Sequence, residues 1–183
     1  ILSCRVRAIE PLTHDIRGIT LTVESGGPFI FSAGQYAQVE FAPGLSKHYS
    51  MANAPDDAQL EFQIRHMPGG RCSSHVAQSL EVGDPVTVSG PHGSSYLRDA
   101  HSGPIVLVAG GSGLAPIQSI AKTLLARNFA GPIQLYFGVR SERDLYNESL
   151  LRAWSAQHAQ FHYEIVLSAP DADSPRRRGF VHT

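Results

Sequence analysis

The sequence predicts two unlike parts in succession: a barrel or sandwich of short antiparallel strands, then a parallel α/β sheet. Three observations carry this. Before residue 100, short runs alternate apolar and polar residues and are broken by Gly and Pro, the pattern of half-buried strands. After residue 103 the pattern becomes strand, helix, strand. The length is 183 residues, which at roughly 150 per domain allows one large domain or two small ones. A 42% hydrophobic and 17% charged composition can bury a core and is unlike that of a disordered chain.

In chain order, residues 5–10 read as the first strand, followed by 19–23, 37–41, 60–64 and 86–88. Turn formers separate them: Ser25-Gly26-Gly27-Pro28, Ala42-Pro43-Gly44, Asn53-Ala54-Pro55-Asp56, Pro68-Gly69-Gly70 and Gly90-Pro91-His92-Gly93. A short helix is expected at 73–79 and a linker at 97–103. Residues 104–109 are a solid apolar run, as expected of a parallel strand covered on both faces. Leu114, Ile117, Ile120, Ala121, Leu124 and Leu125 then fall on one helical face. A second strand spans 132–139. A second helix spans 144–158, with Leu150, Leu151 and Trp154 as its buried stripe, and a third strand spans 161–167. This βαβαβ order implies one half of a doubly wound domain. The division falls at about 1–99 and 100–183.

Composition excludes several functions. Fifteen Lys and Arg against sixteen Asp and Glu give a net charge of −1, which argues against a nucleic-acid binder. The longest apolar run, 105–109, is far short of a membrane span, and no signal peptide is visible. Two distant cysteines, Cys4 and Cys72, suit neither a disulfide scaffold nor a four-cysteine cluster, and a reducing cytoplasm is the default. The nine histidines lack metal-ligand spacing, so no metal site is expected. The chain opens on Ile1 rather than Met, so an upstream segment is expected to have been removed.

Four segments carry candidate chemistry. Lys47-His48-Tyr49-Ser50, at an expected strand start, puts a cation, an aromatic ring and a hydroxyl within four residues. The set can hold an anion and cover a flat ring, or be ordinary surface. Gly69-Gly70-Arg71-Cys72-Ser73 offers bare N–H groups and a helix N-terminus, the makings of a phosphate cradle. The alternative is a strand-to-helix turn with Ser73 as its cap. Gly110-Gly111-Ser112-Gly113-Leu114-Ala115-Pro116 joins a buried strand to an amphipathic helix, where doubly wound sheets bind nucleotides. It is not the Gly-x-Gly-x-x-Gly fingerprint, since Pro116 stands at the third glycine, but Pro is tolerated in a first helical turn. In the fourth segment, Gly138 lets a ligand approach a strand end and Asp144 can cap the next helix. Arg140 either binds phosphate or pairs with Asp144.

In order and spacing these four segments resemble the ferredoxin–NADP reductase superfamily, at its oxygenase-reductase branch, over nearly the whole chain. Lys47-His48-Tyr49-Ser50 is similar to the family's Arg-x-Tyr-Ser flavin motif, with Lys47 replacing a bidentate arginine by a point charge. Residues 69–73 resemble its flavin-phosphate segment. Residues 110–116 resemble its Gly-Gly-Thr-Gly-x-Ala-Pro nicotinamide motif, with Ser112 for threonine, and 136–145 its Tyr-Phe-Gly-x-Arg…Asp-Leu segment. Thr13-His14-Asp15-Ile16, Ser89-Gly90-Pro91-x-Gly93 and Ser95-Tyr96-Leu97-Arg98 are most like reductases serving naphthalene-type ring-hydroxylating dioxygenases.

The resemblance implies a six-stranded antiparallel flavin-binding barrel followed by a nucleotide-binding α/β domain. It implies a reductase that carries electrons from NADH, with NADPH tolerated, through FAD to a [2Fe-2S] centre of an oxygenase system in aromatic hydrocarbon catabolism. Tyr49 is then expected to pack on the isoalloxazine and Ser50 to hydrogen-bond near its N5. Lys47, His48 and residues 69–73 hold the flavin, and 110–116 the nicotinamide nucleotide. Gly138, Arg140 and Asp144 shape the far side, with Ser168 at the ribose. The cluster must sit on a ferredoxin or oxygenase component or on an upstream domain. The same barrel motifs would serve a non-catalytic flavin subunit of the kind that partners dihydroorotate dehydrogenase. The resemblance also implies a further strand, carrying Cys-Gly-Pro, beyond Thr183. A piece without it is expected to be yellow, poorly reduced by NADH and prone to aggregate.

Overall fold

The computed structural model describes residues 1–181; His182 and Thr183, the last two residues of the second expected domain, lie outside the described residues. The first part is a curled antiparallel sheet of six strands: β1 (Leu2–Pro11), β2 (Ile16–Ser25), β3 (Tyr36–Ala42), β4 (Leu45–Ser50), β5 (Gln59–Arg65) and β6 (Pro85–His92). Their order is β4-β3-β6-β1-β2-β5, and an isolated bridge between Met51 and Phe62 ties the two ends of the sheet together. Alternation drives the curl. In β1, Leu2, Cys4 and Val6 point inward while Ser3, Arg5 and Arg7 point out. Register shifts against β2 at Ser3/Cys4 and Val6/Ala8 add local twist, as bulges do. Leu21, Val39, Met51, Phe62 and Val88 fill the interior. Helix α1 (Arg71–Gln78) packs Cys72 and Val76 into the same core, so it plugs the barrel rather than standing beside it. Burying Val76 alone is worth about 1.5–3 kcal/mol.

The second part is a parallel sheet in the order β10-β9-β8-β7, built from β7 (Ile105–Gly110), β8 (Ile133–Val139), β9 (Phe161–Leu167) and β10 (Arg177–Arg178). Helices α2 (Leu114–Ala126) and α3 (Glu148–Gln157) cross over between strands, and both pack on one face. That face holds Leu107, Leu135, Phe137 and Phe161, with Trp154 of α3 edge-on to Phe161 at 5.8 Å. The expectation of a first strand covered on both faces is corrected here. Val106 is 65% and Val108 47% exposed, because both helices lie on the opposite side. An unbroken apolar run did not mean two-sided burial.

Boundaries moved in three informative places. Lys47-His48-Tyr49-Ser50 ends β4 rather than starting a strand, because β4 begins directly after the Pro43-Gly44 turn. Helix α1 begins at Arg71, two residues earlier than expected, so Ser73 is not its cap and Gly70 is. Helix α3 begins at Glu148, so Asp144 caps a separate 3-10 turn, Glu142–Asp144, in a reciprocal capping box with Ser141. The segment 97–103 carries no helix or strand, as expected of a linker.

The two parts are joined by more than the linker. Ile16 of β2 belongs to the core of the second part. On α2, Gln118 and Ser119 are buried because they face the barrel: Ser119 Oγ donates to the Asn53 carbonyl at 2.6 Å and Gln118 Nε2 to that of Ala52 at 3.3 Å. Lys122 Nζ reaches Asp57 at 2.6 Å.

Candidate functional site

The first two sequence segments meet in space. Helix α1 packs on β4. Tyr49 leans inward, edge-on to Phe41, and its hydroxyl donates to Cys72 Sγ at 3.5 Å. The Cys72 thiol in turn faces the Leu45 carbonyl at 3.6 Å. Burial, with the Cys72 contact added, pushes the Tyr49 phenol well above its ordinary range, so it stays a neutral donor. Ser74 N–H makes the first helical bond, to Gly70. The amides of Arg71, Cys72 and Ser73 are therefore first-turn donors that no intrahelical carbonyl serves. Lys47 and Arg71 flank this turn, both exposed, and neither forms an ion pair among the described residues. Unpartnered amides beside two cations suit an anionic phosphate. The hydroxyl of Ser73 is turned inward, donating to Gly70 and Met67 carbonyls and accepting from Met67 N–H at 3.1 Å, so Ser73 offers the cradle its amide. His48 points to the opposite face of β4, edge-on to Tyr36 at 5.2 Å and to His92 at 5.9 Å.

The nucleotide loop lies between two concavities. Gly111–Gly113 form a 3-10 turn that runs straight into α2, with Pro116 in the first helical turn. At its far end, Pro116 and Ile117 line a cleft of about 890 Å³ together with Ser50, Tyr36 and Tyr96 of the barrel side. At its near end, Gly110 and Gly111 line a pocket of about 240 Å³ with Gly138, Arg140, Asp144 and Ser168. Residues from three separate sequence segments thus converge on one pocket, and the loop carries its contents toward Ser50. Leu114 and Ala115 are buried in the α2 packing, so a ligand meets only their backbone; Ser112 and Gly113 stay accessible. The cleft falls within the ~300–1,000 Å³ typical of cofactor sites. Its walls of Ile117, Ile120 and Leu107, with the Ser50 hydroxyl among them, suit a flat heteroaromatic ring with a polar edge.

Sequence reasoning missed Asp15 and Arg65 in the smaller pocket. Arg65 ends β5 and holds Asp15 at 2.7 Å. His14 bridges Asp15 at 3.2 Å and Asp144 at 3.4 Å, strapping the barrel to the second sheet. Burial raises the Asp15 carboxyl, but hydrogen bonds from Arg65 and Thr13 and the nearby positive charges outweigh it, and the net shift is downward. Asp15 stands in the Thr13-His14-Asp15-Ile16 segment, which carried a resemblance but no site role, and nothing local marks Arg65; the packing of the two domains brings both to the pocket. Asp144 accepts from Ser141 at 2.8 Å and meets His14, whereas Arg140 is exposed and makes no ion pair among the described residues. That leaves Arg140 available for an anion. The Arg176-Arg177-Arg178 run is committed elsewhere. Arg176 forks onto Glu148 at 2.9 and 2.8 Å, Arg177 meets Glu164 at 3.3 Å, and Arg178 donates to the Asp171 and Ala172 carbonyls.

Comparison with known proteins supplies the family. The oxidoreductase FAD-binding domain family matches residues 3–96, more than half of the chain, and the oxidoreductase NAD-binding domain family matches 107–183. The chain belongs to the FAD- and NAD-binding oxidoreductases of the ferredoxin reductase family. A Ralstonia relative, the ferredoxin–NAD(P)+ reductase component of naphthalene 1,2-dioxygenase/salicylate 5-hydroxylase systems, is 47% identical over 176 residues, 96% of this chain and 53% of its own length. The corresponding component of a Pseudomonas putida naphthalene 1,2-dioxygenase system is 42% identical, over 99% of this chain and 55% of its own. The crystal structure of the Amycolatopsis cytochrome P450 reductase GcoB superposes with a TM-score of 0.89 at 35% identity, covering 98% of this chain and 55% of that one. The chain spans about half the length of the curated relatives it matches. No helix among the described residues is long and apolar enough to cross a membrane.

Proposed function

We propose that this oxidoreductase is the flavin and nucleotide part of an electron-transfer reductase serving a multicomponent aromatic-ring oxygenase. One observation carries the reading: a single loop, residues 110–116, runs from a pocket lined by Gly110, Gly138, Arg140 and Ser168 to a cleft that shares Ser50 with the barrel. The names of the Ralstonia and Pseudomonas relatives support the oxygenase system and the ferredoxin partner. Bound FAD would supply the link between two-electron hydride transfer from NAD(P)H and one-electron delivery to a [2Fe-2S] protein.

Every other task falls to this chain. Lys47, Arg71 and the amides of residues 71–73 hold the phosphates. Ser50 donates a hydrogen bond at the edge of the ring where the hydride arrives. Residues 110–113 present backbone N–H groups to the dinucleotide, Arg140 meets its charge, and Pro116 and Ile117 keep the meeting point dry. The preferred nucleotide is NADH, because no arginine of the 176–178 run is free for a 2′-phosphate. Two free buried thiols fit a reducing cytoplasm. The test is to identify the heat-released flavin and mix the oxidised protein with NADH in a stopped-flow instrument. FAD is the expected flavin, with bleaching by NADH that is slow in this 183-residue piece and rapid when the chain is extended past Thr183; a colourless protein, or a flavin that NADH bleaches in neither, removes the reading.

A further inference from the structure

Tyr146 is where the nucleotide loop meets the barrel. It lies between the 3-10 turn Glu142–Asp144 and α3, is 5% exposed, and sets its ring edge-on to Phe137 with centroids 5.6 Å apart. Its hydroxyl has one hydrogen and two acceptors, Gln63 Oε1 of β5 at 2.7 Å and the Gly111 carbonyl at 3.2 Å. The surrounding amides fix which way Gln63 faces. Gln63 Nε2 donates to Gln118 Oε1 at 2.9 Å, Asn147 Nδ2 donates to the same oxygen at 2.8 Å, and Gln118 Nε2 donates to Ala52. Turning the Gln63 amide would set its oxygen against Gln118 Oε1. Turning Gln118 as well would set its oxygen against the Ala52 carbonyl and its NH2 against that of Asn147. One arrangement satisfies every group, and in it Tyr146 is the donor. Burial pushes its phenol far above neutrality, so the proton stays in place.

Gly111 is the residue that needs holding. Its φ of 53° lies in the left-handed region, and Gly110 before it leaves the preceding peptide free to turn. Its carbonyl already accepts Leu114 N–H, which closes the 3-10 turn. The Tyr146 hydroxyl shares the remaining lone pair and links it to a barrel strand. The direction of the loop amides, and the height of the loop over the cleft, follow from this peptide.

We propose that Tyr146, oriented by Gln63, is a positioning residue that anchors the Gly111 peptide to the flavin barrel and so sets where a reduced nicotinamide nucleotide meets the ring beside Ser50. The proposal rests on the function proposed above. Hydride transfer needs reacting atoms about 3–3.5 Å apart, and a misplacement of about 1 Å costs about 100-fold. The half-buried Lys122–Asp57 pair also joins the two parts, but it touches no loop residue.

Tyr146→Phe removes the hydroxyl and keeps the ring on Phe137. Lys122→Met breaks the other link and serves as control. Two measurements decide. Amide hydrogen exchange over residues 110–116, on nucleotide-free protein, needs no turnover. Stopped-flow reduction at saturating NADH is read beside the NADH dissociation constant. Tyr146→Phe should speed exchange about fivefold and slow reduction about tenfold, with the dissociation constant within about twofold of wild type. Lys122→Met should change neither. Unchanged reduction in Tyr146→Phe overturns the proposal, and so does equal slowing by Lys122→Met. A wild-type protein that NADH does not reduce removes the proposed function instead. The exchange measurement then decides the anchor alone, and unchanged protection in Tyr146→Phe overturns it.

Discussion

Ser50 shows how little of a site one side chain displays. It ends β4, half-buried, and the cleft wall it shares with Pro116 is what gives its hydroxyl a task. Ser50→Ala should slow flavin reduction by roughly 10- to 100-fold while lowering flavin content less than about threefold, because the bond it makes tightens as charge moves at the reacting edge. Stopped-flow traces and the absorbance ratio of purified protein measure the two effects, and equal rates in mutant and wild type would remove Ser50 from the mechanism. Legibility at this scale divided along a physical line. Residues bonded to near neighbours, such as those of the Gly-rich loop, announce themselves by spacing. Arg65, Gln63 and Tyr146 do not, because their partners lie 35 to 83 positions away.

Elements were legible where one force dominates. Period-two runs gave the barrel strands, and the one-sided apolar stripe gave α2. The start of α3 was misplaced because Asp144 carries a true capping box, but for a 3-10 turn, while α3 itself begins after Asn147 at φ 55° with no side-chain cap. β10 was not expected at all: two exposed arginines have no apolar signature, and only pairing with Val166 and Leu167 makes them a strand. Glu148 holds the segment before β10 to α3 through Arg176, whose guanidinium bonds lower the Glu148 carboxyl below the usual carboxylate range against an opposing effect of burial. A lowered folded value means stability present above the unfolded value, near pH ~4.3, and lost as pH falls through the folded one. Glu148→Gln should therefore cost roughly 1 kcal/mol at pH 7, with the gap to wild type closing below about pH 4; melting temperatures across pH 3 to 7, set by buffer, would show it. Since Arg176, Arg177 and Arg178 are all engaged, kcat/KM should favour NADH, and a clear preference for NADPH would mean that the run leaves these partners to bind the nucleotide.

At the scale of the whole molecule, the two cores are not independent. Ile16 comes from the barrel yet packs in the second core, and buried hydrogen bonds from Gln118 to Ala52 and from Ser119 to Asn53 cross the same contact. The chain should melt in one transition, with flavin release and Trp154 fluorescence coincident; Trp154 is the only tryptophan and reports the second part alone. Ile16→Ala should lower stability by about 2–5 kcal/mol and separate the two signals. Coincident signals in that variant would show that the polar contacts suffice to couple the halves. The cysteines add a complementary handle. Both thiols of the chain, on Cys4 and Cys72, sit in the barrel, at 1% and 4% exposure. Burial pushes the Cys4 thiol up to about 11. An alkylating reagent needs both access and a thiolate, so it reaches Cys4 when the strands part and Cys72 when α1 lifts from Tyr49. The pace of carboxymethylation at Cys4 and Cys72, read by mass spectrometry residue by residue, is therefore a clock for barrel opening that residues 100–183, which contain no cysteine, leave undisturbed.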